Sequence, residues 1–267
     1  MEIIGYIASI LIGISLGLVG SGGSILTVPV LVYLMNINPL VATTSSLFIV
    51  GATSLVGGLR AYSKKIVDFK AVTEFGVPSI FSIFITRHYL LPVLPDHFFS
   101  IGKISVSKEM LLMVVFALLM LVASFSMIRN NYPESQDSQP ENERSNKALP
   151  LILLGLLVGV VTGLLGAGGG FLIIPSLVLF LRIPMKTAIG TSLLIIAINS
   201  LLGFLFSLKQ FEYNWTILLL FTILSIAGLF IGTRLSDKIP NSSLKKGFGW
   251  FVLIMAVYII VKEMFLK

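Results

Sequence analysis

The chain has 267 residues, of which 56% are hydrophobic and only 12% charged, where an ordinary soluble domain is about one quarter charged. Together with a mean hydropathy of +1.00, this excludes a soluble globular domain and predicts an all-α polytopic membrane protein. The net charge of +7 is spread over short pieces between apolar runs, which reads as topogenic charge beside a bilayer and not as a nucleic-acid surface; no cysteine and only His88 and His97 leave no disulfide, metal site or cofactor to expect.

The amino-terminal MEIIGYIASILIG carries an acidic residue and no basic one before its apolar run, so it reads as a retained membrane segment and not a cleaved signal. Apolar segments then follow at about 3–20, 25–35, 41–61, 71–92, 109–128, 149–165, 171–181, 187–207, 214–233 and 247–265. Most have the roughly 20 residues needed to cross the hydrocarbon, but 25–35 and 171–181 have about half that and directly follow glycine clusters, so they are predicted half-helices. A polar piece at 96–109, DHFFSIGKISVSKE, is partly apolar and has no structure fixed by its pattern. Between the halves, RNNYPESQDSQPENERSNK lacks apolar periodicity and reads as a solvated linker.

The two halves match at an offset of 146 without a gap. Gly13 pairs with Gly159, Gly17 with Gly163, Gly20 with Gly166, Gly22 with Gly168, Gly23 with Gly169, Pro29 with Pro175, Ser46 with Ser192, Ser54 with Ser200 and Gly57 with Gly203. Apolar coincidence does not reproduce Gly, Pro and Ser in register, so an internal duplication is expected. The predicted organisation is a first membrane repeat at 1–128, a cytoplasmic polar linker at 129–148 and a second repeat at 149–267.

Loop charge bears on the orientation of the repeats. If each glycine-broken segment is a two-armed hairpin, one side receives Arg87, Lys103, Lys108, Lys209, Lys262 and Lys267, and the other side receives the remaining 13 of the 19 basic residues. If each crosses once, the division is 10 to 9 and carries no bias. Cytoplasmic loops are enriched in Lys and Arg. The expectation is therefore two inverted repeats, each a glycine-broken helical hairpin plus three transmembrane helices, with both termini outside and the central linker inside.

Three glycines within four or five residues mark an intended helix break, and unpaired backbone in lipid is tolerated only where it faces protein, water or a ligand. The short helix after each break directs its first amides and its positive dipole end back into the break, an arrangement suited to an anion. In inverted repeats the two breaks enter from opposite faces, which predicts that Gly22 and Gly168 approach each other near the midplane. The candidate binding residues are Gly20, Ser21, Gly22, Gly23, Ser24, Thr44, Ser45 and Ser46 in the first half. In the second half they are Gly166, Gly168, Gly169, Gly170, Thr191 and Ser192. Gly13, Gly17, Gly159 and Gly163 fit close helix packing better than a site. Arg87 and Arg234, near the ends of corresponding spans, read as snorkelling anchors.

The duplicated G-x-x-G-x-G-G-[GS] with Pro about six residues on, the A-[TI]-[TG]-[ST]-S stretch, and G-T-R-L-x-x-x-[IL]-P in the second half together resemble the sulfite exporter TauE/SafE family of membrane transporters. The resemblance covers both halves apart from the linker and the 96–109 insertion. It implies movement of sulfite, sulfonates or related sulfur-containing anions across the cell membrane, and a binding role for Gly20, Gly22, Gly23 and Ser24 and for Gly166, Gly168, Gly169 and Gly170. The expected function is a secondary transporter working by alternating access, with a small anion and the lipid bilayer as partners and a homo-oligomer allowed. A channel-like passive anion pathway and a non-transporting membrane scaffold are the alternatives. No cluster of His, Asp, Glu or Cys lies at membrane depth, so an enzyme is not expected.

Overall fold

A computed structural model describes residues 2–20, 23–95, 97–101, 104–129, 148–181, 183–236 and 241–265. The central polar linker, Ser21 and Gly22 lie outside the described residues. In chain order the helices are α1 (Glu2–Val19), α2 (Ser24–Tyr33), α3 (Pro39–Ser63), α4 (Phe69–Ile85) and α5 (Lys108–Arg129). The second half supplies α6 (Ala148–Leu165), α7 (Gly170–Leu181), α8 (Met185–Ser207), α9 (Trp215–Ser236) and α10 (Asn241–Phe265). These are the ten segments expected from the apolar pattern, so the helical membrane class stands. The insertion at 96–109 adds one element that the pattern did not foretell, an antiparallel hairpin of β1 (His97–Ile101) and β2 (Ile104–Ser107).

The helix starts follow from local chemistry. Asn38 accepts a hydrogen bond from Leu40 N, with Pro39 at the first helical position of α3. Asp68 accepts from Ala71 N at the start of α4, and Asn214 accepts from Ile217 N at the start of α9. Such caps satisfy amides that have no partner within the helix. Asp68 and Asn214 are 146 residues apart, so the duplication extends to the caps. At its far end α4 passes through a π turn, Thr86–Leu90, before finishing at Leu91–Val93. Five helices among the described residues are long and apolar enough to cross a bilayer. Large apolar side chains such as Ile3, Val93, Val122 and Ile254 stand exposed, as lipid-facing surface requires and water-facing surface avoids.

α1 and α2 form a hairpin. Gly5 near its start lies against the Met35 side chain just past its end, and Gly23 lies against Ile12 and Leu16. α6 and α7 repeat this, with Gly169 against Val158 and Thr162. Each pair of contacts maps onto the other at the offset of 146. With 10 and 12 residues, the second arms reach only about 15–18 Å.

Packing between the halves obeys the same exchange. α1 lies on α9, with Gly13 against Ser225 O, and α6 lies on α4, with Gly159 against Ser79 O. In the middle, α3 and α8 cross antiparallel, with Gly51 facing Leu201 and Gly58 facing Leu194. Gly57 contacts Leu193 and Leu229 there, and its counterpart Gly203 contacts Leu47 and Ile83. The close-packing role expected for Gly13, Gly17, Gly159 and Gly163 holds, since a methyl at any of them meets atoms of the facing helix. α5 and α10 pack on each other and on the α1–α2 hairpin through one apolar cluster that includes Leu31, Met113, Phe116, Ala256 and Ile259.

Candidate functional site

The glycine turns bend where the sequence expects a break. Gly20, Gly166, Gly168 and Gly169 have φ of +75°, +68°, +67° and +69°, a left-handed region that residues with a Cβ seldom adopt. Gly166 is further constrained, because a side chain there would strike the Thr43 carbonyl. Gly23 has an ordinary helical φ of −64°, and Gly170 is the first residue of α7. All six of these glycines are buried, as is Ser24.

The two turns lie against opposite ends of the α3–α8 crossing. Gly20 rests on Ile189, near the start of α8, whereas Gly166 rests on Thr43, near the start of α3. Because α3 and α8 run antiparallel, those starts are far apart. Gly168 reaches back toward the centre of the crossing, where an added methyl would meet Val50, Ile196 and Ser200 Oγ at 3.0–3.2 Å. The expected approach of Gly22 to Gly168 involves a residue outside the described set. The hydroxyls of Ser54 and Ser200, which are counterparts, are fully buried and without a hydrogen-bond partner.

The other candidate residues divide by what their hydroxyls do. Ser46 donates to the Gly166 carbonyl, tying α3 to the second turn. Ser192 donates to Ile189 O in its own helix at 2.8 Å, the back-bonding that competes with a site role. Thr191 Oγ1 accepts from Asp68 N at 2.9 Å, joining α8 to the 64–68 segment. Its counterpart Ser45 has no partner and instead lines a cleft of about 240 Å³ with Ile37, Asn38, Val41, Glu212, Asn214 and Leu218. The same pair of positions is thus bonded at one end of the crossing and parted at the other.

Thr44 leads to the feature the sequence reading missed. Its Oγ1 accepts from Arg87 Nη1 at 2.7 Å, and Arg87 is the largest fully buried side chain among the described residues. Arg87 is therefore no snorkelling anchor, while Arg234 is exposed. The π turn is the physical reason: it adds one residue to the α4 turn and so re-aims Arg87 inward, between α4, α3 and the segment after α8. Arg87 Nε and Nη2 have no hydrogen-bond partner among the described residues. Tyr213 donates to Ser207 O at 2.9 Å, and Gln210 donates to Arg87 O at 3.4 Å. Burial pushes the Tyr213 phenol above its ordinary range, opposed by the charge of Arg87 and a hydrogen bond with Thr44. The repeat comparison could not find this cluster, because Thr44, Arg87, Ser207, Gln210 and Tyr213 face Gly190, Thr233, Ala61, Lys64 and Val67 at the same offset.

Residues 6–259 match the family described as Sulfite exporter TauE/SafE. The chain is 31% identical over 258 residues to a probable membrane transporter protein of Xylella fastidiosa, covering 94% of this chain and 91% of the relative. It is 26% identical over 276 residues to the probable membrane transporter protein YunE of Bacillus subtilis, covering 96% and 95%. No solved structure matches.

Proposed function

The chain belongs to the sulfite exporter TauE/SafE family, a family of membrane transporters and not of enzymes, and on that premise we propose that it carries a small sulfur-containing anion such as sulfite or a sulfonate by alternating access. Its two halves act as inverted repeats in the cell membrane, with both termini outside, the linker inside and the substrate passing between the glycine turns. The antiparallel crossing of α3 and α8 favours inversion, because equivalent helices of the two halves then traverse the bilayer in opposite directions.

The observation that carries the reading is the pair of buried glycine turns, each leading into a half-length helix beside α3 or α8. Backbone amides and buried hydroxyls stand there without the lipid exposure that would penalise them. Reconstituted protein and a Gly168→Ala variant test it, since the added methyl crowds Val50, Ile196 and Ser200. Sulfite or methanesulfonate flux into proteoliposomes should fall by about tenfold or more, equivalent to about 1.4 kcal/mol, with the amount of folded protein retained. Unchanged flux removes the turns from the pathway. Flux that neither saturates nor shows counterflow makes the protein a channel instead.

A further inference from the structure

A guanidinium removed from water needs hydrogen bonds and a counter-charge, and a buried ion without them is strongly destabilising. Arg87 is wholly buried, uses Nη1 on Thr44 and leaves Nε and Nη2 free. No carboxylate pairs with it among the described residues. The two free nitrogens are not a random remainder. Their N–H groups lie side by side on one edge of the planar group, the edge that grips two oxygens of a single acid head.

The surroundings extend that edge. α4 and α8 run parallel at an offset of 120, as shown by Asn199 donating to Ser79 and by Gly203 against Ile83. Continued to Arg87, the same offset falls on Ser207, whose hydroxyl is also buried and unpartnered. Access is short. Ser45, Glu212 and Asn214 line the cleft, while their immediate neighbours Thr44 and Tyr213 face Arg87. The 208–214 segment, which carries both Tyr213 and the cleft residues Glu212 and Asn214, is held by the Tyr213 and Gln210 hydrogen bonds.

We propose that the Nε–Nη2 edge of Arg87 is a binding site for a singly charged head with two oxygens on one atom, a sulfonate, hydrogen sulfite or carboxylate, reached from the cleft when the 208–214 segment moves. This site is built from both halves, from Thr44 and Arg87 of the first and Gln210 and Tyr213 of the second, and none of these residues recurs at the offset of 146. A single cation matches a single negative charge. A dianion such as sulfate would leave one charge uncompensated, and a halide, as a single acceptor, shares the two N–H groups in one bent contact where a two-oxygen head makes two aligned hydrogen bonds. The inference rests on the anion-transport reading only for its choice of probes.

Calorimetric titration of the purified full-length chain with methanesulfonate, acetate, chloride and sulfate at constant ionic strength tests it. In a Trp250→Phe background, Trp215 emission gives a local signal, since Trp215 packs 6.2 Å from Tyr213. Methanesulfonate and acetate should bind saturably, with chloride and sulfate weaker by about tenfold or more, and Arg87→Lys, which keeps the charge but loses the fork, should weaken methanesulfonate by a similar factor. Equal affinity for chloride, undiminished binding in Arg87→Lys, or no saturable binding at all overturns the site. If Arg87→Lys does not fold, the anion panel on the unaltered residue decides. Flux that persists without Arg87-dependent binding removes this site and leaves transport standing; Arg87-dependent binding without flux does the reverse.

Discussion

At the scale of single residues, the glycines separate into those that need to be glycine and those that do not. Gly166 combines a φ of +68° with a Thr43 carbonyl where its Cβ would be. Alanine there must adopt an unfavourable backbone region and also displace main chain, so Gly166→Ala should cost more than about 2 kcal/mol and lower the unfolding temperature in detergent. Gly76 lies within α4, and the position that a methyl group would take there has no atom within 4 Å beyond its chain neighbours and the adjacent backbone of its own helix. Gly76→Ala should be neutral or stabilise by about 0.5–1 kcal/mol, because helical glycine carries an entropic penalty that alanine does not. Thermal unfolding of the two variants side by side checks both signs. Equal effects would mean that the turn conformation at Gly166 is not required by the fold.

At the scale of elements, the helices were legible because burial in lipid demands length and apolarity, and the half-length α2 and α7 were legible because each follows a glycine run and carries Pro29 or Pro175. The duplication was legible through residues whose packing is intolerant of change. Gly13 touches Ser225 O as Gly159 touches Ser79 O, and the two contacts are counterparts. Gly13→Leu and Gly159→Leu should therefore reduce the yield of monodisperse protein to a similar degree on size-exclusion chromatography. A severe effect in one half and none in the other would break the equivalence of the α1–α9 and α6–α4 interfaces. The Arg87 cluster was illegible for the opposite reason, since its residues have no counterparts and a repeat comparison weighs only what recurs. Its inward aim depends on a one-residue π bulge at Thr86–Leu90, which no spacing rule reveals. The β1–β2 hairpin was illegible because its strands are short and a partly apolar segment fits a strand or a surface helix equally well.

For the molecule as a whole, two equivalent halves are caught in inequivalent arrangements. At one end of the α3–α8 crossing Thr191 accepts from Asp68 N, and Gly190 is overlaid by the Ile66 carbonyl. At the other end the counterparts of that pair, Ser45 and Asn214, border an open cleft. The proposed alternating access requires the halves to exchange these arrangements, and under it the Thr191–Asp68 hydrogen bond should act as a latch. Removing its acceptor in Thr191→Val forfeits about 1 kcal/mol and should raise the population open at that end about fivefold. The chain has no cysteine, so single introduced thiols report without background. Val67→Cys, on the latch segment, should react with maleimide several-fold faster in the Thr191→Val variant, and an unchanged rate would show that the hydrogen bond does not hold that end shut. The same chemistry checks orientation. Lys64 and Lys209 are both exposed, on segments at opposite ends of the crossing. Inverted repeats with the carboxyl terminus outside require that Lys209→Cys be labelled by an impermeant maleimide in intact cells and Lys64→Cys only after permeabilisation. Labelling of both residues from one side would reject the inverted arrangement.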